Sequence, residues 1–451
     1  MQVAIRANRA GPRAPGATAL IRRSGLVAAL KGAQSGLMLL ALALAARWLG
    51  ADAYGRLAGV LAWAGMLAVL FQLGLPPHLL RRVAAFERDG DDAALRALLR
   101  RSVGAVVIAA VGGAGLALSV WASGVPTPWP TQAFVFGALA AGALAFLRVL
   151  GAWLQARGRV LAGQVADALV RPGGLLLGVA AAMALGMPAS GTSAAWLFII
   201  AAAMAALVAA GQVWFGERQG SFPSEAAAER RLEPAGAWLA ATGPLLGAAL
   251  LHAVMANADV LMLGALADAE AAGAYHAASR IALTLGLAMA AVGTVTGPHL
   301  ARAAADGDAA EQRRIAVTSS RLLAIPAVLA LPLVVLAAEP ALGWLGEGFA
   351  AGAPALVGLW IGQLVNLACG PVAVLLNCHE RERAALAGLA LGAAANLGLN
   401  ALLIPPLGAT GAAIATATSM ALWNLVLVAA VRRHVGVDPT VLGRAARAVA
   451  A

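Results

Sequence analysis

The sequence predicts an all-α integral membrane protein of about twelve transmembrane helices. Its 451 residues are 61% hydrophobic and only 12% charged, and their mean hydropathy is +0.82. Soluble domains carry about 25% charged residues, so half of the expected charge is missing. The apolar residues form long runs with short polar connections, and the arginines are concentrated in alternate connections. These observations together exclude a soluble domain of any class.

Twelve apolar runs meet the length that a membrane helix requires. A helix needs about 20 mostly apolar residues to cross the hydrocarbon core. No run of alternating polar and apolar residues long enough for a membrane strand accompanies them. The predicted spans 1–12 are 24–47, 57–80, 101–123, 132–155, 160–186, 195–215, 238–263, 274–299, 318–338, 353–378, 384–404 and 409–431.

Basic residues predict the orientation of these spans. With the N-terminus placed inside, the inside segments hold 25 of the 32 basic residues, and the outside segments hold only Arg47 and Arg56. Cytoplasmic connections are enriched in Lys and Arg, so both termini are expected to be cytoplasmic. Lys31 is the only lysine, a bias typical of GC-rich bacterial genomes. The predicted location is the bacterial inner membrane. The net charge of +11 is dispersed over short connections, which argues against a nucleic-acid partner.

The two halves of the chain resemble each other. Tyr54 precedes the triplet Pro77-His78-Leu79 by 23 residues, and Tyr275 precedes Pro298-His299-Leu300 by the same distance. The offset between the two halves is 221 residues. A repeat of six spans inserts both halves the same way up, so it predicts two lobes related by an axis along the membrane normal.

A second match supports this repeat, because residues 154–159 resemble residues 376–381 at an offset of 222. Transporters often place their substrate site between such halves. The mixed-charge segment near the midpoint is expected to be the linker. The predicted domains are a cytoplasmic N-terminal tail (1–23), an N-lobe (24–218, spans 1–6), a cytoplasmic linker (219–237), a C-lobe (238–431, spans 7–12) and a cytoplasmic C-terminal tail (432–451).

Three segments carry a family resemblance that extends over nearly the whole chain. Residues 47–55 (RWLGADAYG) resemble the first hairpin of polysaccharide and oligosaccharide flippases. Residues 257–264 (NADVLMLG) are similar to their connection between spans 7 and 8, and residues 403–415, with Asn396 and Asn400 upstream, to their connection between spans 11 and 12. The ordered set resembles the Wzx-like branch of the multidrug/oligosaccharidyl-lipid/polysaccharide exporter superfamily.

This resemblance implies a flippase that works by alternating access and serves the synthesis of surface polysaccharide such as lipopolysaccharide. The implied cargo is a polyprenyl-pyrophosphate-linked oligosaccharide, and the implied partners are membrane lipids and other proteins of the pathway, such as a polymerase. We expect a monomer without a cofactor. Two alternatives remain: a cation-coupled multidrug antiporter of the same superfamily, which an acidic cavity would favour, and a membrane-embedded transferase, which would need clustered acid and base residues.

Four basic residues within spans are the candidate substrate-binding residues: Lys31, Arg148, Arg171 and Arg280. Charge inside a membrane is costly and usually faces a cavity or a partner. Arginines facing a cavity would offset the desolvation of a pyrophosphate. Arg171 lies about 16 Å inside its span, whereas the other three are close enough to a helix end to snorkel. Asp167 lies four residues before Arg171, and mutual neutralisation of these two residues is the alternative interpretation.

His252 and Asp259 are a second, weaker candidate pair, for proton or cation coupling. They are seven residues apart and therefore share one face of span 7. Two structural interpretations compete with this role, because Asp259 could lie near the outer interface and His252 could be an ordinary interior histidine. No catalytic nucleophile, metal-ligand cluster or phosphate-binding loop emerges from the sequence. An ion gradient, the membrane potential or the substrate gradient must therefore supply the energy, and no enzymatic activity is predicted.

Overall fold

The computed structural model describes residues 17–125, 130–217 and 235–443, and these residues fold into helices without any strand. The predicted fold class is confirmed. Most of the predicted N-terminal tail, the predicted linker and residues 444–451 lie outside the described residues.

Where the structure describes the connections, most helices are joined by a few residues. The helices are α1 (Ala17–Phe71), α2 (Leu75–Asp89), α3 (Asp92–Ala122), α4 (Thr131–Ala156), α5 (Val160–Val165), a π-helical turn (Ala166–Val170), α6 (Arg171–Ala184), α7 (Gly191–Glu217), α8 (Ala235–Leu266), α9 (Ala269–Ala305), α10 (Ala309–Leu329), α11 (Leu331–Gly343), a 3-10 turn (Phe349–Gly352), α12 (Ala353–Cys369), α13 (Val372–Cys378) and α14 (Glu382–His434).

Two of these helices are hairpins of two spans each. A straight helix of 55 residues, the length of α1, would be about 80 Å long, more than twice the hydrocarbon thickness. The backbone of α1 is not helical at Gly50, where φ is 72°, and that of α14 is not helical at Gly408, where φ is 52°. Glycine tolerates such positive φ angles without steric cost. Each glycine therefore marks the connection between two spans.

The count of spans follows from these hairpins. In the part of the chain that the structure describes, eight helices, or nine when the bent pair α10–α11 is one span, are long and apolar enough to cross a membrane. Two of the nine are the hairpins α1 and α14, and each of these contributes two spans instead of one. The 37-residue helix α9 adds one more span. The total is twelve, arranged as two six-helix lobes with pseudo-twofold symmetry.

Several spans are broken where the sequence predicted continuous runs. Span 2 is interrupted after Phe71, where Leu73 and Gly74 both adopt positive φ, and the chain continues as α2. The helix axes of α10 and α11 differ in direction by 55°. In span 10, Gly370 separates α12 from α13, with φ of 78°.

The repeat has diverged at its two matching prolines. Pro77 lies in the first turn of α2, immediately after the break in span 2. Its counterpart Pro298 lies inside the uninterrupted helix α9. Proline is well accepted in the first turn of a helix, whereas inside a helix it removes a hydrogen bond. The same triplet therefore accompanies a helix start in one half and a continuous helix in the other.

The lobes meet in a tight crossing that we call the seam, formed by residues 51–55 of α1 and 269–273 of α9. A Cβ added at Gly55 would lie 1.6 Å from the carbonyl oxygen of Ala269, and one added at Gly273 would lie 2.3 Å from that of Ala51. Only glycine allows two backbones to approach so closely. The seam lies beside Gly50, and we call this end of the molecule the Gly50 end.

At the opposite end, polar contacts tie connections together within each lobe. Arg157, between α4 and α5, pairs with Glu87 at 2.7 Å and with Glu217 at 3.4 Å. Residues 435–443, the C-terminal strap, fold back onto the C-lobe, where Arg321 donates to the carbonyl oxygens of Val441 and Gly443. We call this end the Arg157 end.

Candidate functional site

A cavity of about 840 Å³ lies between the lobes and contains most of the predicted site residues. Its walls come from α1, α4, α6 and α7 of the N-lobe and from α8, α9, α12 and α14 of the C-lobe. Tyr275 and His276, which follow the seam segment of α9, line the side nearest the Gly50 end. The seam therefore separates this cavity from the Gly50 end.

The fold brings three of the four predicted cationic residues into this one cavity. Arg148 and Arg171 line it from the N-lobe, and Arg280 lines it from the C-lobe. Lys31 is exposed on α1, one turn before Gln34, and does not contribute to the lining. The charged wall is thus made by arginines of α4, α6 and α9.

Arg171 both lines the cavity and pairs with its own helix. Its Nε–H donates to Asp167 at 2.6 Å, and the side chain of Gln34 donates to the same carboxylate at 3.2 Å. The pair lies at the π-helical turn, where the N–H of Arg171 bonds to the carbonyl oxygen of Ala166. Pro172 follows, and since proline lacks an N–H and clashes with the carbonyl four residues earlier, it favours this local widening. π-Helical turns occur often at functional sites.

Arg148 has no such partner. Among the described residues its guanidinium makes no hydrogen bond or ion pair, although Asp167 and Arg171 are close enough to interact with it electrostatically. Two guanidinium groups therefore face one carboxylate in this part of the N-lobe. A guanidinium offers five N–H donors and no acceptor, so donors remain available to an anion in the cavity.

Arg280 connects the cavity with the seam. Its Nε–H donates to Nε2 of His276 at 3.1 Å, and Nδ1 of His276 lies 2.9 Å from the hydroxyl oxygen of Tyr54 in the other lobe. Both Tyr54 and His276 are 1% exposed. The ring of Tyr54 also packs edge-on against Phe349. The residues predicted for this site did not include His276 and Tyr54. Both are polar residues at the start of an apolar span, and that is the signal that could have identified them.

Asp259 is the centre of a buried polar cluster within the C-lobe. The carboxylate is 5% exposed and accepts hydrogen bonds from Asn400 at 2.6 Å and from Asn396 at 3.1 Å. Its second oxygen accepts from Thr416 at 2.6 Å and from the hydroxyl of Tyr275. The amide oxygen of Asn400 is buried without a hydrogen-bond partner in the described part of the chain. Asp259 therefore lies in the interior of the C-lobe.

His252 lies apart from this cluster. It lines the same cavity but is exposed, and its Nδ1 donates to the carbonyl oxygen of Ala248 at 3.0 Å. The hydrogen-bond partners of Asp259 are side chains of α9 and α14, and His252 is not one of them. Asn396 and Asn400 were visible in the sequence as two amides four residues apart on one helix face, whereas Tyr275 and Thr416 come from sequence positions that only the fold brings close.

The described residues thus form a helical membrane protein of two lobes with a charged cavity between them. A family model described as polysaccharide biosynthesis protein matches residues 20–304. The chain belongs to this polysaccharide biosynthesis protein family. No protein with a curated description matches the chain by sequence.

Solved structures share the fold at low sequence identity. An inward-facing multidrug resistance MATE family transporter of the MOP superfamily matches with a TM-score of 0.69 and 13% identity, over 89% of this chain and 94% of that chain. The lipid II flippase MurJ, in an inward closed conformation, matches with 0.67 and 13%, over 90% and 87%. An outward-facing MATE family transporter gives 0.60 and 13%, over 91% and 94%. These likenesses show that the chain shares the fold of these proteins.

Proposed function

We propose that the protein is a flippase that moves a polyprenyl-pyrophosphate-linked oligosaccharide across the membrane by alternating access between its two lobes. The observation that carries this proposal is the unpartnered guanidinium of Arg148, which shares one cavity with Arg171 and Arg280. Membership of a polysaccharide biosynthesis family supports the class of cargo.

Arginine suits this cargo because its planar fork binds two phosphate oxygens at once. A pyrophosphate brings at least two negative charges into a region where an unpaired ion costs several kcal/mol. Three arginines against the carboxylates of Asp259 and of Asp167, which pairs with Arg171, leave an excess of one positive charge at the described cavity. The arginines come from both lobes, so a change in lobe angle would alter how they surround an anion.

The position of the seam supports alternating access. The lobes are in backbone contact at the Gly50 end, and the cavity lies on the other side of that contact. The similarity is also greater to the inward-facing MATE transporter, at 0.69, than to the outward-facing one, at 0.60. In the orientation predicted from the arginines, the Gly50 end faces outward, and the cavity would receive cargo from the cytoplasmic side.

We further propose that Asp259 couples transport to a proton or a small cation. Asp259 is a buried carboxylate held by amide and hydroxyl groups, with no cationic side chain bonded to it among the described residues, and such a group is a natural binding site for a proton or a small cation. The unpartnered oxygen of Asn400 points to the same role, since a buried acceptor without a donor is costly. His252 lines the same cavity and is a candidate route for the proton.

The alternative is a cation-coupled multidrug antiporter. The structural likeness to MATE transporters and the buried Asp259 favour it. The excess of arginines opposes it, because a cationic wall repels cationic drugs. The similar solved structures named above are transporters and a flippase, which gives no support to a membrane-embedded transferase.

A binding comparison separates these functions. Purified protein in lipid nanodiscs is titrated with farnesyl pyrophosphate, farnesol and tetraphenylphosphonium while tryptophan fluorescence is recorded. We expect the pyrophosphate to bind at least tenfold more tightly than the alcohol, because only the pyrophosphate engages the arginines. Binding of tetraphenylphosphonium without binding of the pyrophosphate would establish the antiporter instead.

A further inference from the structure

Three side chains form a continuous hydrogen-bonded chain from the cavity to the other lobe. Arg280 faces the cavity, His276 lies one helical turn before it, and Tyr54 belongs to the N-lobe side of the seam. Among the described residues, the contact with His276 is the one hydrogen bond that the Arg280 guanidinium makes. Its terminal nitrogens are therefore available to a ligand.

The chemistry of arginine fixes the direction of this chain. A guanidinium can only donate, so Nε2 of His276 must be the acceptor and cannot carry a proton. The proton of the neutral imidazole is then on Nδ1, which donates to the hydroxyl oxygen of Tyr54 at 2.9 Å. The state of Arg280 thereby determines which tautomer His276 adopts and whether it can hold Tyr54 across the seam.

We propose that Tyr54, His276 and Arg280 form a latch that keeps the lobes together at the Gly50 end and that the anionic group of the cargo releases. This inference rests on the proposed function, because it takes a pyrophosphate as the ligand of Arg280. His276 acts as a positioning residue, since it touches Arg280 and Tyr54 rather than the cargo.

The release follows from competition for one N–H group. A phosphate that binds a guanidinium side-on takes Nε–H together with one terminal nitrogen. In the closed state this same Nε–H donates to His276. Once it turns to the anion, Nε2 of His276 becomes a buried acceptor without a donor, which is unfavourable in an environment that is 1% exposed. The ring loses the contact that fixed its tautomer, and its bond to Tyr54 weakens.

The repeat supplies a matched control. Tyr275 stands at the position in the C-lobe that Tyr54 holds in the N-lobe, 221 residues earlier. Its hydroxyl bonds to Asp259 within its own lobe and not across the seam. Replacement of either tyrosine with phenylalanine removes one buried hydroxyl, but only Tyr54→Phe removes a bond between the lobes.

A cysteine reporter in the seam tests the latch. The chain has two native cysteines, Cys369 and Cys378, which are replaced with alanine. Ala51 is 5% exposed in the seam, so Ala51→Cys should react with a polar maleimide only when the lobes separate. The reaction rate is measured in nanodiscs, with and without farnesyl pyrophosphate, and binding of this probe is followed separately by tryptophan fluorescence.

We expect Tyr54→Phe to raise the labelling rate without the probe roughly fivefold, the equilibrium shift that loss of one buried hydrogen bond produces. Tyr275→Phe should raise this rate much less, because the hydroxyl that it removes bonds within the C-lobe. In the parent protein the probe should raise the rate, and in Tyr54→Phe it should add little. His276→Leu should behave as Tyr54→Phe does. His276→Gln should restore both the slow rate and the response, because its amide can accept from Arg280 and donate to Tyr54.

The outcomes distinguish the latch from the proposed function. Equal labelling rates of Tyr54→Phe and the parent would overturn the latch, and so would a probe that binds the parent without changing its labelling. If the probe does not bind at all, the proposed function is wrong, and the comparison of Tyr54→Phe with Tyr275→Phe still decides whether the three residues hold the seam closed.

Discussion

Tyr54 and Tyr275 occupy corresponding positions in the two halves of the chain, yet their hydroxyl groups have different partners. Tyr54 bonds to His276 across the seam, and Tyr275 donates to Asp259 inside the C-lobe. The next residue differs as well: Gly55 follows Tyr54 and permits the backbone contact, whereas His276 follows Tyr275 and supplies the imidazole. The two corresponding tyrosines thus have different roles. Tyr54 forms a hydrogen bond between the lobes, and Tyr275 supports a buried carboxylate within one lobe.

The seam glycines give the first prediction. A Cβ at Gly55 would overlap the carbonyl oxygen of Ala269, whereas one at Gly264 in α8 would meet no atom within 4 Å. We expect Gly55→Ala to prevent close contact of the lobes and to raise labelling of Ala51→Cys several-fold. Gly264→Ala is the control for adding a methyl group to an apolar helix. Equal labelling of the two variants would contradict the closed seam.

The twelve-span fold was predictable because its signals are local. Length, hydropathy and arginine distribution are properties of short windows, and a bilayer of fixed thickness leaves few alternatives. Breaks inside spans were not predictable, because backbone geometry decides them. For span 2 the sequence predicted a continuous helix to residue 80, but positive φ angles at Leu73 and Gly74 interrupt the helix after Phe71. Hydropathy cannot register such a change, because Leu75 and Leu79 are as apolar as the residues before them.

The candidate site was predictable only in part. Arg148, Arg171 and Arg280 were identifiable because charge inside a span is rare. That they line one cavity depends on how α4, α6 and α9 pack, which no sequence window contains. The partners of Asp259 lie on two other helices, α9 and α14, so their proximity also depends on packing that no sequence window contains. A neutral tyrosine or histidine also costs less to bury than an arginine, so Tyr54 and His276 gave weaker signals.

The orientation of the protein is a second prediction. Arginine asymmetry places Gly186, Leu266 and Gly346 on the outside, and in the structure all three follow or end helices at the same end as Gly50. Reporter fusions after each of these residues should show periplasmic activity in intact bacteria. A fusion after residue 158, in the connection between α4 and α5, should report the cytoplasm. A cytoplasmic signal at any of the first three sites would refute this orientation.

Removal of the buried charge tests the proposed coupling. We expect Asp259→Asn to bind farnesyl pyrophosphate with little change, because Asp259 contacts the C-lobe cluster rather than the arginines. Export of surface polysaccharide, and its dependence on an ion gradient, should fall at least tenfold. Asp268→Asn, a change at an exposed helix cap, controls for loss of a carboxylate. Undiminished gradient dependence in Asp259→Asn would exclude Asp259 as the coupling residue.

The C-terminal strap should respond to acid. Burial raises the pKa of Asp438, but hydrogen bonds from Thr440 and the ion pair with Arg432 at 2.7 Å lower it further, so that the pKa lies below its usual range. Its contribution to stability is therefore complete above the unfolded value of about 3.9, and is lost as the pH falls through the lower folded value. Hydrogen exchange at Val441, whose N–H bonds to Ala368, should accelerate only in this acidic range. Asp438→Asn should show faster exchange already at neutral pH.

Arg148 and Arg171 should respond differently to loss of their charge, and the difference tests the anion site. Arg148 has no hydrogen-bond partner in the described protein, so Arg148→Gln should keep the thermal stability while it weakens binding of farnesyl pyrophosphate about 10- to 100-fold, the usual loss for one or two charge-assisted hydrogen bonds. Arg171→Ala should lower the stability as well, because it leaves Asp167 unpaired inside a span.

The double variant Asp167→Asn/Arg171→Ala separates the two roles of Arg171. It removes both charges together, so the thermal stability should recover. If Arg171 also contacts the cargo, binding of farnesyl pyrophosphate should remain weak in this stable protein. Recovery of binding together with stability would make Arg171 a structural partner of Asp167 alone. In that case the anion site would consist of Arg148 and Arg280, one from each lobe, and the binding energy lost in Arg148→Gln should be correspondingly larger.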